Sequence, residues 1–415
     1  KTWANWPICC MPSPAPDIVF AGIGAACGLG FGKASLIDGL LAGRDVFSTL
    51  QRPGRQAPDG VAPFLGIEMA DPPSLLPARV ERTAGLAARV AVSVVDEAWR
   101  EAGLDNVDPE RIGLVVGGSN VFSREIALLA RDYAARPNFV PPRAGHALLD
   151  SEIGGLLASH FAIRGFTLGI GAASASGAVA VMQAAAAIRS GRVDACIALG
   201  ALQDLSAMDL LGMRALGALG APRFADRPGQ ACRPFDRDHD GFVFGESCAA
   251  LVLCRADLAG PGYGTLIGAA HVADGQRGPE PDGTGQRRAI AQALAQAGLR
   301  PQEVDYVNAH ATSTPKGDDV EADTLVACGL DHAWVNATKS IIGHGLAAAG
   351  AIEVAALLLQ MRDGQLHPTR NLDNPIVPPL RHVIGGAQSC HLRHALKTSF
   401  GFGGIDTALV IRGAS

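Results

Sequence analysis

Four segments of the sequence hold the residues best suited to chemistry, and the first is GIGAASASGAVAVMQAAAAI, which begins at Gly169. Its small residues allow a strand to turn sharply at Ala172 and Ala173 into a helix that has almost no polar side chains. Ser174 is then predicted at the start of that helix, where backbone N–H groups and the helix dipole favour developing negative charge. Taken alone, a serine at a helix start is more often an N-cap than a reactive group.

Two histidines follow, each beside a predicted turn. NAHATSTP, which begins at Asn308, presents His310 at the end of a strand. NATKSIIGHGLAAAG, which begins at Asn336, places Lys339 five residues before His344, and His344 lies just ahead of a predicted buried helix. The end of that helix and the neighbouring lysine are both expected to lower the pKa of His344 and keep its ring neutral. A neutral imidazole can donate an N–H to an enolate oxygen.

The charge of Lys339 needs a partner in such apolar surroundings, and the sequence predicts that Glu353 in the following helix supplies it. The fourth segment, SFGFGGIDTALVIR, begins at Ser399, and its glycines allow a close backbone approach before the final strand. Each segment has an ordinary structural explanation by itself. Their joint order favours a catalytic centre.

The elements that must position these segments alternate between apolar strands and helices. Strands are predicted to begin at 17, 112, 166, 196, 248, 265, 305, 335 and 407, and helices to span 33–41, 82–102, 177–190, 288–297 and 346–362. Continuous apolar strands that alternate with helices are typical of parallel-rich sheets covered on both faces. Because a second series of this kind begins near residue 262, we expect two similar halves.

In this order of segments the sequence resembles the β-ketoacyl synthases of fatty-acid and polyketide assembly. RPFDRDHDGFVFGES from Arg233, PTRNLDNP from Pro368 and LLAGRDVFS from Leu40 resemble further family segments, so the likeness runs from about residue 17 to residue 412. It implies an α/β protein with the five-layer αβαβα thiolase fold. We expect an N-terminal half at 17–260, a C-terminal half at 261–415, and a leader at 1–16 outside the core.

The resemblance also implies roles for individual residues. His310 and His344 match the two histidines of the family's Cys-His-His triad, and Lys339 and Glu353 match its supporting ion pair. Phe400 matches a gate residue whose backbone N–H joins that of the nucleophile in an oxyanion hole.

A carrier-bound substrate follows from the same likeness. Thr312 and Thr314 match the threonines that contact the phosphopantetheine arm of an acyl carrier protein. The expected partner is therefore an acyl carrier protein, which brings the phosphopantetheine, and no intrinsic cofactor or metal is implied.

Three positions depart from the family pattern. Ser174 stands where the family has its cysteine, Ala311 replaces the glycine usual after the first histidine, and Ile405-Asp406 replaces Thr-Asn. A serine hydroxyl ionises far less readily than a thiol, and it needs a general base within hydrogen-bond reach. Loading of an acyl chain on Ser174 is therefore expected to be slow or absent.

Decarboxylation of a malonyl thioester needs no nucleophile, because two histidines can stabilise the enolate oxygen that forms. We therefore expect an enzyme that converts malonyl carrier protein to acetyl carrier protein. It resembles the serine-bearing ketosynthase homologues of polyketide β-branching, and that assignment to a pathway rests on analogy.

Alternatives stay open at this point. A non-catalytic partner similar to a chain-length factor also lacks the cysteine, although such partners tend to lose the histidines as well. A condensing enzyme with an engineered serine fits the same sequence. A serine hydrolase is disfavoured, because Ala172 and Ser176 occupy the glycine positions of a GxSxG elbow. A dinucleotide enzyme is disfavoured because the loose glycine motif at Gly22 lacks a following strand that ends in an acidic residue.

Composition narrows the class further. The net charge of -5 argues against a general nucleic-acid binder. No apolar run is long enough to span a bilayer, and the first 16 residues lack the layout of a signal peptide. The nine scattered cysteines, which include Cys9 and Cys10, have no zinc spacing and fit a reducing cytoplasm. With charged residues at only 18%, we expect a large buried subunit surface in a homodimer, with a ketosynthase heterodimer as the alternative.

Overall fold

The structure is a computed structural model that describes residues 16–57, 60–220, 222–260, 262–377 and 380–414. The predicted leader, with Cys9 and Cys10, lies outside the described residues except for residue 16. In the first half of the chain the strands are β1 (Ile18–Cys27), β2 (Gly30–Phe31), β3 (Ser48–Thr49), β4 (Leu65–Ile67), β5 (Ile112–Gly117), β6 (Phe166–Ile170), β7 (Ala195–Gly200), β8 (Phe244–Gly245) and β9 (Ser247–Arg255). The helices there are α1 (Lys33–Leu41), α2 (Ala78–Glu81), α3 (Leu86–Ala102), α4 (Ser123–Tyr133), α5 (Ser151–His160), α6 (Ser176–Arg189) and α7 (Ala207–Ala215).

The second half repeats this alternation. Its strands are β10 (Gly264–Ala273), β11 (Tyr306–Asn308), β12 (Trp334–Asn336), β13 (Gln365–Leu366), β14 (Arg381–His382), β15 (Gln388–Ser389), β16 (His394–Gly401) and β17 (Ile405–Gly413). Its helices are α8 (Gly283–Ala297), α9 (Pro315–Ala327), α10 (Lys339–Ile342) and α11 (Ala349–Asp363). The predicted boundary between residues 260 and 261 falls in the connection from β9 to β10.

The strand order shows that the two halves are built alike. The main sheet runs β14-β12-β11-β16-β17-β10-β1-β9-β7-β5-β6, and the halves meet where β1 and β10 pair antiparallel. In each half the first strand pairs antiparallel with the last one, β9 or β17. That strand pairs antiparallel with β7 or β16, and the remaining strands continue in parallel. The prediction of two similar halves is confirmed.

The prediction of parallel-rich sheets is wrong for the centre of the fold, where β1, β9, β10 and β17 are all antiparallel to their neighbours. Strands β1, β9 and β17 are nevertheless covered by helices on both faces. Their continuous apolar character therefore records burial and carries no information on strand direction.

Five layers result from the helix positions. Helix α3 covers the outer face of β1 and β9, and α8 covers β10 and β17. Between the two halves of the sheet, α6 and α11 pack against each other. Their backbones approach so closely that a Cβ at Gly177 would lie 2.4 Å from the Ala351 nitrogen, which explains the small residues in both helices. The predicted αβαβα fold is confirmed.

Two helix starts differ from the sequence prediction by four residues or more. The helix predicted from residue 82 breaks, and α3 begins at Leu86 after an extended Gly85, because the Leu86 N–H donates to Glu125 Oε1 at 2.7 Å. Helix α8 begins five residues earlier than predicted, because the Asp282 carboxylate accepts the N–H groups of Thr284 and Gly285 and so caps it.

The described part of the chain has no helix that is both long and apolar enough to cross a bilayer. Seven cysteines lie within it as free thiols, five of them buried. Burial raises the pKa of Cys27, Cys196, Cys232 and Cys248 to about 12, so these four thiols stay protonated and unreactive at neutral pH.

Candidate active site

Ser174 lies in a tight turn that connects β6 to α6. The turn is a short 3₁₀ segment, Ala173–Ala175, and Ala173 has a left-handed backbone with φ of 45°. Ser176 makes the local hydrogen bonds of this turn, since its hydroxyl donates to the Ala173 carbonyl at 2.7 Å and accepts from the Ala172 N–H at 2.9 Å. Ser174 makes no capping hydrogen bond, so its hydroxyl stays free to face the site.

The hydrogen bonds of His344 fix which of its ring nitrogens carries the proton. Nδ1 lies 3.2 Å from the backbone N–H of Leu346 and must accept from it. Nε2 therefore carries the hydrogen, and it lies 3.0 Å from Ser174 Oγ. In this tautomer His344 donates to the serine and cannot remove its proton. The expectation that Ser174 lacks a general base on this side agrees with the geometry.

His310 presents its ring in the same way. It follows β11, and the ammonium of Lys339, which can only donate, lies 3.4 Å from its Nδ1 and 2.5 Å from its carbonyl oxygen. Nε2 is therefore the protonated nitrogen. The His310 ring meets the rings of His344 and Phe400 edge-on, with centroids 5.7 and 5.6 Å apart. The imidazole N–H donors of His310 and His344 thus face the same cavity.

Burial holds both histidines neutral. It lowers the pKa of His310 and of His344 well below the usual value, and the positive charge of Lys339 acts in the same direction. The direction expected from the sequence is right, but burial rather than the end of a helix is the main cause. Neutral rings remain N–H donors across the neutral pH range.

The predicted partner of Lys339 is in place, together with a second lysine that the sequence analysis missed. Lys339 Nζ lies 2.5 Å from Glu353 Oε1, and Lys397 Nζ lies 2.7 Å from Glu353 Oε2. All three side chains are at most 1% exposed. Burial lowers the pKa of Lys397 to about 8. The only sequence signal for Lys397 was a single charge inside the apolar strand β16.

Glu321 was also missed, although it holds the His310 loop. Its buried carboxylate accepts the backbone N–H groups of His310 at 2.9 Å and Ala311 at 2.6 Å, and the Thr398 hydroxyl at 2.7 Å. Burial raises the pKa of Glu321. Nothing in the spacing of NAHATSTP could have indicated a carboxylate on the following helix, α9.

Ala311 carries backbone strain, since its φ of 35° lies in the left-handed region that glycine tolerates. Ala311→Gly is therefore expected to raise the free energy of unfolding by about 0.5–1 kcal/mol. Denaturant unfolding of the purified variant measures this effect. Ala309→Gly, in the same loop but without a positive φ, is the matched control and should lose stability. An equal loss in both variants would contradict the strain argument.

A cavity of about 430 Å³ brings the predicted residues together. Its lining includes Ser174, His310, His344, Phe400, Thr312 and Thr314. The two threonine hydroxyls lie 2.8 Å apart, and an exposed ion pair of Lys316 with Glu280 borders the opening. Lys339 and Glu353 stand behind the histidines rather than in the lining. The roles carried over to these residues stay predictions.

Comparison with known proteins agrees with this geometry. Residues 15–259 match the family model "Beta-ketoacyl synthase, N-terminal domain", and residues 263–373 match "Beta-ketoacyl synthase, C-terminal domain". The chain is 44% identical over 404 residues to the polyketide biosynthesis malonyl-ACP decarboxylase PksF of Bacillus subtilis (strain 168). The aligned region covers 96% of each protein.

Two solved structures extend the likeness to the fold. A β-ketoacyl synthase from Burkholderia phymatum STM815 has a TM-score of 0.86 and 25% identity, over 96% of this chain and 100% of that one. In the AntDE:AntF complex a type II PKS acyl-carrier protein is bound to its ketosynthase. This complex has a TM-score of 0.83 and 26% identity, over 97% of this chain and 100% of that one.

Proposed function

Because this chain belongs to the β-ketoacyl synthase family, we propose that it decarboxylates malonyl-acyl carrier protein to acetyl-acyl carrier protein in polyketide biosynthesis. The observation that carries the proposal is the 3.0 Å contact in which His344 Nε2–H donates to Ser174 Oγ. A hydroxyl that receives this proton donor has no base to activate it, so acyl transfer to the enzyme is disfavoured. The extensive likeness to PksF supports the same activity.

Decarboxylation itself can use the residues as they stand. The N–H groups of His310 and His344 stabilise the thioester oxygen as the bond to the carboxylate breaks and the oxygen becomes an enolate. Because both rings are neutral and already oriented, they need no reorganisation as the charge develops. Carbon dioxide leaves, and a proton added to the enolate carbon completes the acetyl group.

The substrate arrives on a carrier protein. We infer that its phosphopantetheine arm enters past Thr312 and Thr314, whose hydroxyls face the cavity. The phosphopantetheine belongs to the carrier, and the chain's own residues bind the arm and orient the thioester. The carrier complex of the related ketosynthase supports this partner.

We also infer a homodimer in the cytoplasm. Strand β6 forms one end of the main sheet, pairs only with β5 within the described residues, and leaves Leu168 42% exposed. An unpaired, weakly polar edge of this kind is suited to pairing with a second copy. Free thiols such as Cys328 are compatible with a reducing compartment.

The test is to incubate the purified protein with malonyl-loaded carrier and follow the carrier by intact mass spectrometry. We expect the malonyl carrier to become acetyl carrier while the protein gains no acyl adduct. An unchanged malonyl carrier, together with a stable heterodimer with a cysteine-bearing ketosynthase, would instead support a non-catalytic partner subunit.

Ser174→Cys is expected to add an activity that the serine withholds. A thiol is far more acidic than a hydroxyl and can be acylated without a strong base. The variant should gain an acyl adduct from a supplied acyl donor, visible as added protein mass, and should form condensed product with malonyl carrier. Ser176→Cys is the matched control and should gain neither, because its side chain bonds within the turn. Equal acylation of both variants would contradict the assignment of Ser174.

A further inference from the structure

Asp406, which replaces the family's usual asparagine, faces the active-site cavity. It lies directly opposite Phe400 in the antiparallel pair β16–β17, so the two side chains share a face of the sheet. The Phe400 ring is 5.6 Å from the ring of His310. Asp406 is only 3% exposed, and it lines the same cavity as Ser174 and the two histidines. A buried carboxyl group therefore borders the reaction space.

The surroundings of Asp406 do not neutralise its charge. Its Oδ2 has no hydrogen-bond partner among the described residues. The first turn of α8 packs against this oxygen so closely that a Cβ at Gly285 would lie 2.1 Å from it. The charged groups that act on it are Asp274, Asp282 and Arg288, two of them anionic. Burial and these two carboxylates, opposed by Arg288, raise the pKa of Asp406 to about 7.

Resting on the proposed decarboxylation, we propose that Asp406 is the general acid that protonates the enolate carbon. As the carbon–carboxylate bond breaks, its electron pair forms the enolate, and carbon dioxide leaves. The O–H bond of Asp406 then breaks, its proton forms a C–H bond at the methylene carbon, and the acetyl thioester results. The aspartate left behind takes a proton from water that enters the cavity.

Other cavity groups are poorly suited to this step. The neutral rings of His310 and His344 would have to become imidazolate anions to give up an N–H proton. Ser174 would have to become an alkoxide. Lys316 is exposed and held by Glu280 at the opening. Within the described lining, Asp406 is the buried acid whose proton is available at neutral pH.

The acid form of Asp406 also suits the substrate. An ionised aspartate in a cavity of low polarity would repel the malonyl carboxylate, whereas the protonated form tolerates it and can donate a hydrogen bond to it. The rate should therefore fall as the pH rises through the pKa of Asp406. The two histidines are already neutral at that pH and add no change there.

The experiment compares Asp406→Asn with the natural protein, using a malonyl-loaded acyl carrier protein and, in parallel, malonyl-pantetheine. With ¹³C-bicarbonate present, we expect the variant to return labelled carbon dioxide to the malonyl carboxylate, because its enolate persists, while acetyl formation falls at least 100-fold. The natural protein should show little exchange, and its kcat/KM should fall above about pH 7. Asn is nearly isosteric with Asp, and thermal unfolding checks that the variant folds.

Two further variants separate the outcomes. Asp274→Asn removes a neighbouring negative charge and should move the alkaline fall in kcat/KM to lower pH. Asp257→Asn, on an exposed site paired with Arg255, should leave the profile unchanged. Asp406→Asn with undiminished acetyl formation and an unchanged pH profile would overturn the role of Asp406 and leave the proposed function intact. A natural protein that releases no carbon dioxide would overturn both.

Discussion

Replacing His310 with alanine is expected to lower the rate of decarboxylation about 10²–10³-fold, the usual effect of removing one donor to a developing oxyanion. The His310 N–H becomes a strong hydrogen bond only when the thioester oxygen gains charge. Most of the loss should therefore fall on kcat, with little change in KM. Intact mass spectrometry of the carrier over time gives both constants.

His332→Ala is the control for this substitution. His332 is an exposed histidine whose Nε2 bonds to the Val304 carbonyl at 3.1 Å, and it does not line the cavity. Its replacement should change the rate less than twofold. If His310→Ala retained most of its rate, the enolate would have to be stabilised by another group, and the assignment of the two imidazole donors would be wrong.

The catalytic arrangement separates two half-reactions that usually occur together. Enolate formation needs hydrogen-bond donors at the thioester oxygen, and in the proposed reaction His310 and His344 supply them, each protonated on Nε2. Acyl loading needs a nucleophile that ionises, and Ser174 faces a hydrogen-bond donor instead of a base. On this proposal the same His344 N–H supports the first reaction and opposes the second.

The sequence carried the information needed to identify these donors. Ser174, His310, His344 and Phe400 come from four distant segments, yet each segment contains the turn residues that its position requires. The structure brings all four to one cavity. That Ser174 makes no capping hydrogen bond was beyond sequence reasoning, because it depends on side-chain rotamers within one turn.

Other features depend on distances that only folding creates. Lys397 is a lone lysine in β16, and Glu321 is one of several acidic residues in α9. Their roles appear only when these two elements meet near His310 and Glu353. Strand direction was hidden for a different reason. A strand covered on both faces is apolar along its whole length whether its neighbours run antiparallel, as β1 and β9 do, or parallel, as β5 and β7 do.

Glu353→Gln is expected to lower the free energy of unfolding by about 3–5 kcal/mol, the usual cost of leaving a buried charge without its partner. Here one carboxylate serves two lysines, Lys339 at 2.5 Å and Lys397 at 2.7 Å, and all three are almost fully buried. An amide carries no charge, so both ammonium groups would have to lose protons or draw water into the core. Urea or guanidinium unfolding measures the loss.

Two companion variants make the interpretation of this loss specific. Glu303→Gln removes an exposed carboxylate that pairs with Arg300, and it should leave the free energy of unfolding nearly unchanged. Adding Lys397→Met to Glu353→Gln removes one of the two stranded charges, and it should recover part of the stability because an apolar side chain needs no partner. If Glu353→Gln alone cost less than about 1 kcal/mol, the two lysines would have to be neutral in the native protein. Lys339 would then donate to His310 as an amine, and the positive charge that helps to keep both histidines neutral would be lost.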